Sequence, residues 1–280
     1  MGARIFSTVV LWTVVLGSLW LFGTHAAVAL ITLLTAATLW EFYGMMEKMG
    51  QRPFRWMGVT LSVLMTAGTY YLALVVDEPA VLASVPSGLL VVGLIASCCR
   101  VLGERDTASR VEAIASTTLG LLLVPYMLHF LVRILMREAP STENLTLCLW
   151  IVAVSKFCDV GGLLTGMILG RHKMAPSISP KKTWEGTVGG LVFSMGIGAA
   201  ISYFASGQLP ESLTPSVAAL IALPLAITTV ISDLIESAIK RRADIKDAGK
   251  LIPGIGGAFD LTDSLILTAP VAYFIFLFVE

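Results

Sequence analysis

The sequence predicts an all-α fold: a polytopic integral membrane protein of about nine transmembrane helices with a cytoplasmic N-terminus. Three observations carry that expectation. The 280 residues are 56% apolar and 14% charged with a mean hydropathy of +0.84, far outside the composition of a soluble domain. The apolar residues gather in runs near the ~20 needed to cross hydrocarbon. Lysine and arginine concentrate in alternate loops.

The first run, 5–23, follows Arg4 and is trailed by Ala27-Val28-Ala29, a pattern also found at signal-peptide cleavage sites. A second run, 25–42, starts at once, which favours a retained helical hairpin. Runs at 57–76, 81–98 and 112–135 follow, the second of these being short and polar at Ser84, Pro86 and Ser87. The pattern breaks at 136–144, so the chain divides into an N-terminal region of about five helices, 1–140, and a C-terminal region, 141–280. The latter holds runs at 145–169, 187–205, 216–240 and 261–279, with cytosolic loops 170–187 and 240–260.

Orientation follows from loop charge. Lys48, Arg52 and Arg55 follow the second run, Arg100, Arg105 and Arg110 the fourth, Arg171, Lys173, Lys181 and Lys182 the sixth, and Lys240, Arg241, Arg242, Lys246 and Lys250 the eighth. The intervening loops hold little positive charge beyond Arg133 and Arg137. The even-numbered loops are therefore cytosolic and Glu280 lies outside. A net charge of zero gives no reason to expect a nucleic-acid partner. Cys98, Cys99, Cys148 and Cys158 lack metal-ligand spacing and read as packing residues. His25, His129 and His172 carry no catalytic pattern.

Two polar constellations stand out against this background. Asp233, Glu236, Ser237 and Lys240 are spaced i, i+3, i+4, i+7, so they share one helix face. That face could serve an amphipathic helix end with internal ion pairs, or it could aim carboxylate, hydroxyl and ammonium at one ligand. Beyond a loop carrying Lys246, Asp247 and Pro253-Gly254-Ile255-Gly256-Gly257, Asp260 and Asp263 open the last run. One of these carboxylates could simply cap a helix. Two sources of carboxylate joined by glycines and flanked by cations also suit a Mg²⁺-assisted phosphoryl-transfer site. The second constellation, Ser177-Ile178-Ser179-Pro180-Lys181-Lys182-Thr183-Trp184-Glu185-Gly186, has the composition of a phosphate cradle before a helix. Upstream, Asp159 and Lys156 are one helical turn apart and could neutralise each other.

These motifs resemble the phosphatidate cytidylyltransferases, or CDP-diacylglycerol synthases, whose signature runs S-x-x-K-R-x4-K-D, P-G-H-G-G, D-R-x-D. Here the same positions read Ser237, Lys240-Arg241, Lys246-Asp247, then Pro253 to Gly257, then Asp260 and Asp263, and the upstream S-P-K-K-T-x-E-G runs from Ser179 to Gly186. Asp159 matches the aspartate of the preceding helix. The resemblance covers about 155–265; the chain departs from it at Ile255, where the family has histidine, and at Leu261, where it has arginine.

The resemblance implies Mg²⁺-dependent transfer of CMP from CTP to phosphatidate, yielding CDP-diacylglycerol and pyrophosphate for phospholipid biosynthesis, with one cation or two. It implies metal ligation by Asp233 and Asp260 with support from Asp263, and catalytic roles for Ser237 and Lys240. It places Asp159, Ser179, Lys181, Lys182, Thr183, Glu185, Arg241, Lys246, Asp247, Gly254, Gly256 and Gly257 on substrate. The expected partners are CTP, phosphatidate and membrane lipids, a homodimer is compatible, and the expected location is a bacterial inner membrane with the site on the cytosolic face. Two alternatives remain open: a CTP-dependent transferase using another lipid acceptor, and a secondary transporter using the intramembrane charges. The expected topology has a direct check. A single cysteine introduced at Ile245 should react with an impermeant maleimide only after the cytosolic face is opened; labelling from the outside would reverse the orientation.

Overall fold

The computed structural model describes residues 2–103, 110–137, 141–249 and 256–279, and the side chains within them except those of residues 2–12 and 110. Among the described residues, seven helical stretches are long and apolar enough to cross a membrane: Thr13–Lys48, Pro79–Leu102, Val111–Leu135, Thr142–Leu169, Trp184–Phe204, Pro215–Arg242 and Ala258–Phe276. The polytopic all-α class is thus in place, and the difference from nine runs has local causes. The first two runs lie on one helix, α1 (Gly2–Lys48), interrupted at Gly23, whose φ of 52° and ψ of −128° belong to backbone that L side chains rarely adopt. The third run is continuous helical backbone from Arg55 to Ala73, in which a π turn at Leu64–Gly68 separates α2 (Arg55–Val63) from α3 (Thr69–Ala73). Then come α4 (Pro79–Leu102), α5 (Arg110–Leu123) and α6 (Pro125–Leu135).

The chain forms two compact units, one of residues 1–132 with 242–262, the other of 133–241 with 263–280. The first crossover falls close to the expected division at 140, while 242–262, the loop expected with the C-terminal region, groups with the first unit. Tyr43 organises that unit. Its hydroxyl donates to the Thr117 carbonyl at 2.9 Å, and its ring occupies the space that a Cβ on Gly58 or Gly120 would need. Thr117 in turn accepts the Phe54 amide at 2.9 Å. The Arg55 guanidinium donates to the Trp40 carbonyl at 2.9 Å, pairs with Glu47 at 3.1 Å and lies 3.6 Å over the Trp40 ring. These contacts satisfy polar groups between helices from within the protein, as a lipid surround favours.

In the second unit α7 (Thr142–Leu169) starts at Ser141, which accepts the Asn144 amide at 3.1 Å. The chain turns through an antiparallel hairpin, β1 (Lys173–Ala175) and β2 (Ser179–Thr183), in the register Lys173 opposite Thr183. The cytosolic loop expected at 170–187 is therefore ordered. Helix α8 (Trp184–Phe204) returns against α7 along a seam of small residues. Trp150 Nε1 donates to the Gly198 carbonyl and Ser194 Oγ to the Val154 carbonyl, both at 2.9 Å. A Cβ on Gly190 would sit 2.7 Å from the Cys158 carbonyl oxygen, and one on Gly189 would strike Thr165, whereas Gly196 faces open space.

Helices α9 (Pro215–Arg242), α10 (Ala258–Ile266) and α11 (Thr268–Phe276) complete the chain. The last run is broken at Leu267 for two reasons. Pro270 lacks the amide that would reach the Ile266 carbonyl. One rung earlier, Ser232 of α9 inserts its hydroxyl between the Asp263 carbonyl, to which it donates, and the Leu267 amide, which it accepts at 3.4 Å. All four cysteines are free thiols; Cys148 and Cys158 are buried as expected of packing residues, whereas Cys98 and Cys99 are exposed.

The seam makes a stability prediction. Gly190→Ala should cost about 1–3 kcal/mol, the usual penalty of overpacking against backbone that cannot yield, while Gly196→Ala should be neutral. Thermal unfolding in detergent would check both; equal midpoints would mean that α7 and α8 can separate freely.

Candidate active site

Helix α9 delivers its polar face as the spacing requires. Glu236, only 2% exposed, pairs with Lys240 one turn on at 2.5 Å. Asp233 pairs with Lys182 of β2, and Asp263 of α10 pairs with Lys156 of α7 at 3.3 Å. The three carboxylates converge, with an oxygen of each lying within 4.8 Å of the others. Two unit charges at that separation repel by about 3 kcal/mol at an effective dielectric near 20. Three lysines from three elements offset that repulsion one to one, and Asp159 adds a further carboxylate beside them. Hard carboxylate oxygens converging in this way are a donor set that suits Mg²⁺.

Beside the cluster lies a cleft of about 520 Å³. Lys173, Lys181, Lys182 and Thr183 of the hairpin line one side, Asp159 and Asp233 line its floor, and Leu163 and Met167 of α7 line another wall. These two apolar side chains are 62% and 67% exposed. The cleft is therefore cationic on the hairpin side and apolar where the α7 surface opens.

Local chemistry fixes the hairpin. Thr183 caps α8 by accepting the Gly186 amide at 3.1 Å. Its hydroxyl oxygen would lie only 3.3, 2.8 and 3.0 Å from a Cβ on Gly166, Gly170 and Gly186, so the three glycines form a notch for it. Glu185 takes the backbone amides of Arg171 and His172 at 3.1 and 3.2 Å and meets His172 Nδ1 at 2.5 Å. Trp184 N donates to the His172 carbonyl at 2.9 Å. Arg241 Nε donates to the Ile178 carbonyl at 3.3 Å, tying the hairpin turn to the end of α9.

The remaining expected residues fall as follows. Ser237 is half-buried on α9 and Ser179 half-buried in β2. Glu185 closes the base of the hairpin and is not among the cleft-lining residues. In the first unit, Lys246 and Asp247 are exposed. Asp260 accepts the amides of Ala248 and Gly257 at 3.1 and 2.8 Å through one carboxylate oxygen, and Gly256 adopts a φ of 129°. Gly254 and Ile255 lie outside the described residues.

Four participants were not foreseen. Lys156, expected to neutralise Asp159 one turn away, acts on that carboxylate and also reaches Asp263, 107 residues on. Lys173 was counted only as a topology signal, and Ser232 carried no signal beyond its place before Asp233. Glu41, a lone carboxylate in an apolar run, accepts the Phe259 amide at 2.9 Å; its isolation among apolar residues was the available clue.

Comparison with known proteins agrees with this chemistry. A 128-residue stretch is 38% identical to the phosphatidate cytidylyltransferase of Mycobacterium bovis, covering 46% of this chain and 40% of that protein. A 159-residue stretch is 36% identical to the enzyme of the same name from Rickettsia bellii, covering 56% and 67%. For Bacillus subtilis the identity is 32% over 164 residues, covering 59% and 58%. The chain thus spans about two fifths of the length of the mycobacterial relative it matches. The model of the cytidylyltransferase family matches residues 2–279, and the chain belongs to that family.

Proposed function

We propose that the protein transfers CMP from CTP to phosphatidate, releasing pyrophosphate and leaving CDP-diacylglycerol in the membrane. The observation that supports this most is the meeting of three lysine-paired carboxylates with a cleft that is cationic on one side and apolar on the other. One substrate of such a reaction arrives from water and the other within the bilayer, so both kinds of wall are needed. The proposed location is a bacterial inner membrane, with the N-terminus and the cleft facing the cytosol.

In the reaction, a phosphate oxygen of phosphatidate attacks the α-phosphorus of CTP. The bond from that phosphorus to the bridging oxygen breaks, and pyrophosphate departs with the electron pair. Phosphatidate is itself the nucleophile, so the protein supplies position and charge. Lys173 and Lys181 hold phosphate oxygens on the hairpin wall. Lys182, Lys240 and Lys156 exchange their carboxylate partners for phosphate as substrate enters, which avoids exposing unpaired lysines when the cleft is empty of anion. Ser237 orients a phosphate oxygen, and Arg241 keeps the hairpin turn close to α9. Asp233 and Asp263, with Glu236, would hold Mg²⁺, a reading supported by their converging oxygens, while Asp260 spends an oxygen on the turn before α10. Bound there, Mg²⁺ supplies neutralisation of charge on the nucleotide phosphates. Leu163 and Met167 leave room for acyl chains beside the phosphate.

Purified protein in detergent, given labelled CTP, phosphatidate and Mg²⁺, should release pyrophosphate. Asp233→Asn and Asp263→Asn should each lower kcat at least about 100-fold, the scale expected when a group stabilising transition-state charge is lost. Lys182→Met should raise the KM for substrate while leaving the protein folded. A panel of lipid phosphates and lipid alcohols identifies the acceptor, and no pyrophosphate release with any of them sinks the proposal. Leu261→Arg, which restores the family residue, should leave activity equal or higher; a large loss would mean that the site is built around the apolar side chain.

A further inference from the structure

We infer that Glu41 is a positioning residue that sets the start of helix α10, from which Asp260 and Asp263 project, an inference that rests on the proposed reaction. Glu41 sits between Trp40 and Phe42 in the apolar stretch Thr13–Lys48. A carboxylate in such a place is costly and persists where it has a partner or a task. Its partner is a backbone amide: Oε2 accepts the Phe259 N–H at 2.9 Å, one of the amides that the first turn of a helix leaves without an internal acceptor.

The surrounding residues are shaped to admit that side chain. A Cβ on Gly249 would lie 2.0 Å from Oε1 of Glu41, and a Cβ on Gly257 would lie 2.3 Å from Oε2. Both positions must lack a side chain if the carboxylate is to reach the amide. The neighbours of Glu41 on the same face of α1 make parallel contacts. Thr38 Oγ1 hydrogen-bonds Thr262 Oγ1 at 2.9 Å, and the Phe42 and Phe259 rings are 6.0 Å apart. Residues 38, 41 and 42 thus read the first turn of α10 through a hydroxyl, a carboxylate and a ring.

Asp260 acts on the same turn from within, accepting the amides of Gly257 and Ala248. Two carboxylates therefore occupy the N-terminal amides of α10, where negative charge also suits the helix dipole. Asp260 ties that turn to Ala248, in the segment before it. Glu41 holds the same turn to a different helix, and so fixes where the helix starts.

The test uses the full chain in detergent with Glu41→Ala, Glu41→Gln and Gly249→Ala. Glu41→Ala should lower kcat about 10- to 100-fold, the penalty of a small misplacement of reacting groups, with KM values for CTP and phosphatidate within about threefold of wild type. Gly249→Ala, which displaces the carboxylate without removing it, should reproduce that loss. Glu41→Gln keeps an acceptor oxygen of the same reach and should recover most of kcat. Hydrogen exchange of the peptide spanning 257–262 should quicken about tenfold or more in the two alanine variants, and little in the glutamine variant, as local opening becomes easier.

Unchanged exchange and kcat in folded Glu41→Ala overturns the inference. Lost kcat with unchanged exchange also overturns it and moves Glu41 to substrate or metal. If Glu41→Ala does not fold, Gly249→Ala and Glu41→Gln decide by the same two readouts. Wild-type protein that releases no pyrophosphate defeats the proposed reaction instead, and the exchange measurement still shows whether Glu41 holds the helix.

Discussion

Three carboxylates with oxygens within 4.8 Å of one another cannot be kept together inside a membrane protein without positive charge close by. Lys156, Lys182 and Lys240 supply it from a neighbouring helix, a strand and the same helix. The packing of the second unit follows from this requirement. Helix α7 must bring Lys156 to α10, and the hairpin must bring Lys182 to α9. The same pairs give the proposed chemistry its character, since an anionic substrate would enter by exchanging partners with the lysines.

Small residues make those approaches possible. The α7 and α8 backbones meet at Gly186 and Gly190, where an added methyl group would lie 2.8 Å from the Gly162 carbonyl oxygen and 2.7 Å from that of Cys158. Lipid tails give no hydrophobic reason for helices to associate, so close backbone contact and inter-helix hydrogen bonds have to do so. At the hairpin end of the same seam the glycine notch around Thr183 ends the hairpin and starts α8. A contact that holds the bundle together therefore also aims Lys181 and Lys182.

Much of this was legible in the sequence, for reasons that also mark where reading stopped. Apolar runs gave the fold class, and the spacing of Asp233, Glu236 and Lys240 gave a helix face with an internal pair. Both are local properties. The additional pairing of Lys156 with Asp263 depends on tertiary contact, which an i, i+3 rule cannot see. The same holds for Glu41, whose amide partner lies 218 residues away. Hydropathy separates nine apolar runs where the described residues hold seven long apolar helical stretches, because it registers apolar length and is blind to the π turn at Leu64–Gly68 and to the continuation of α1 across Gly23. The hairpin escaped because its strands are short, polar and carry a proline.

The serine wedged into the last helical stretch has a consequence of its own. Pro270 weakens that stretch from within, but the rung at the Asp263 carbonyl is opened by Ser232, which α9 must carry to it. The residue following Ser232 is Asp233. A single dipeptide therefore sets the backbone under one carboxylate of the cluster and contributes another. Slippage of α9 by one residue would lose both at once, so the cluster forms as a unit when the helices dock in register, and a misregistered bundle carries no partial site.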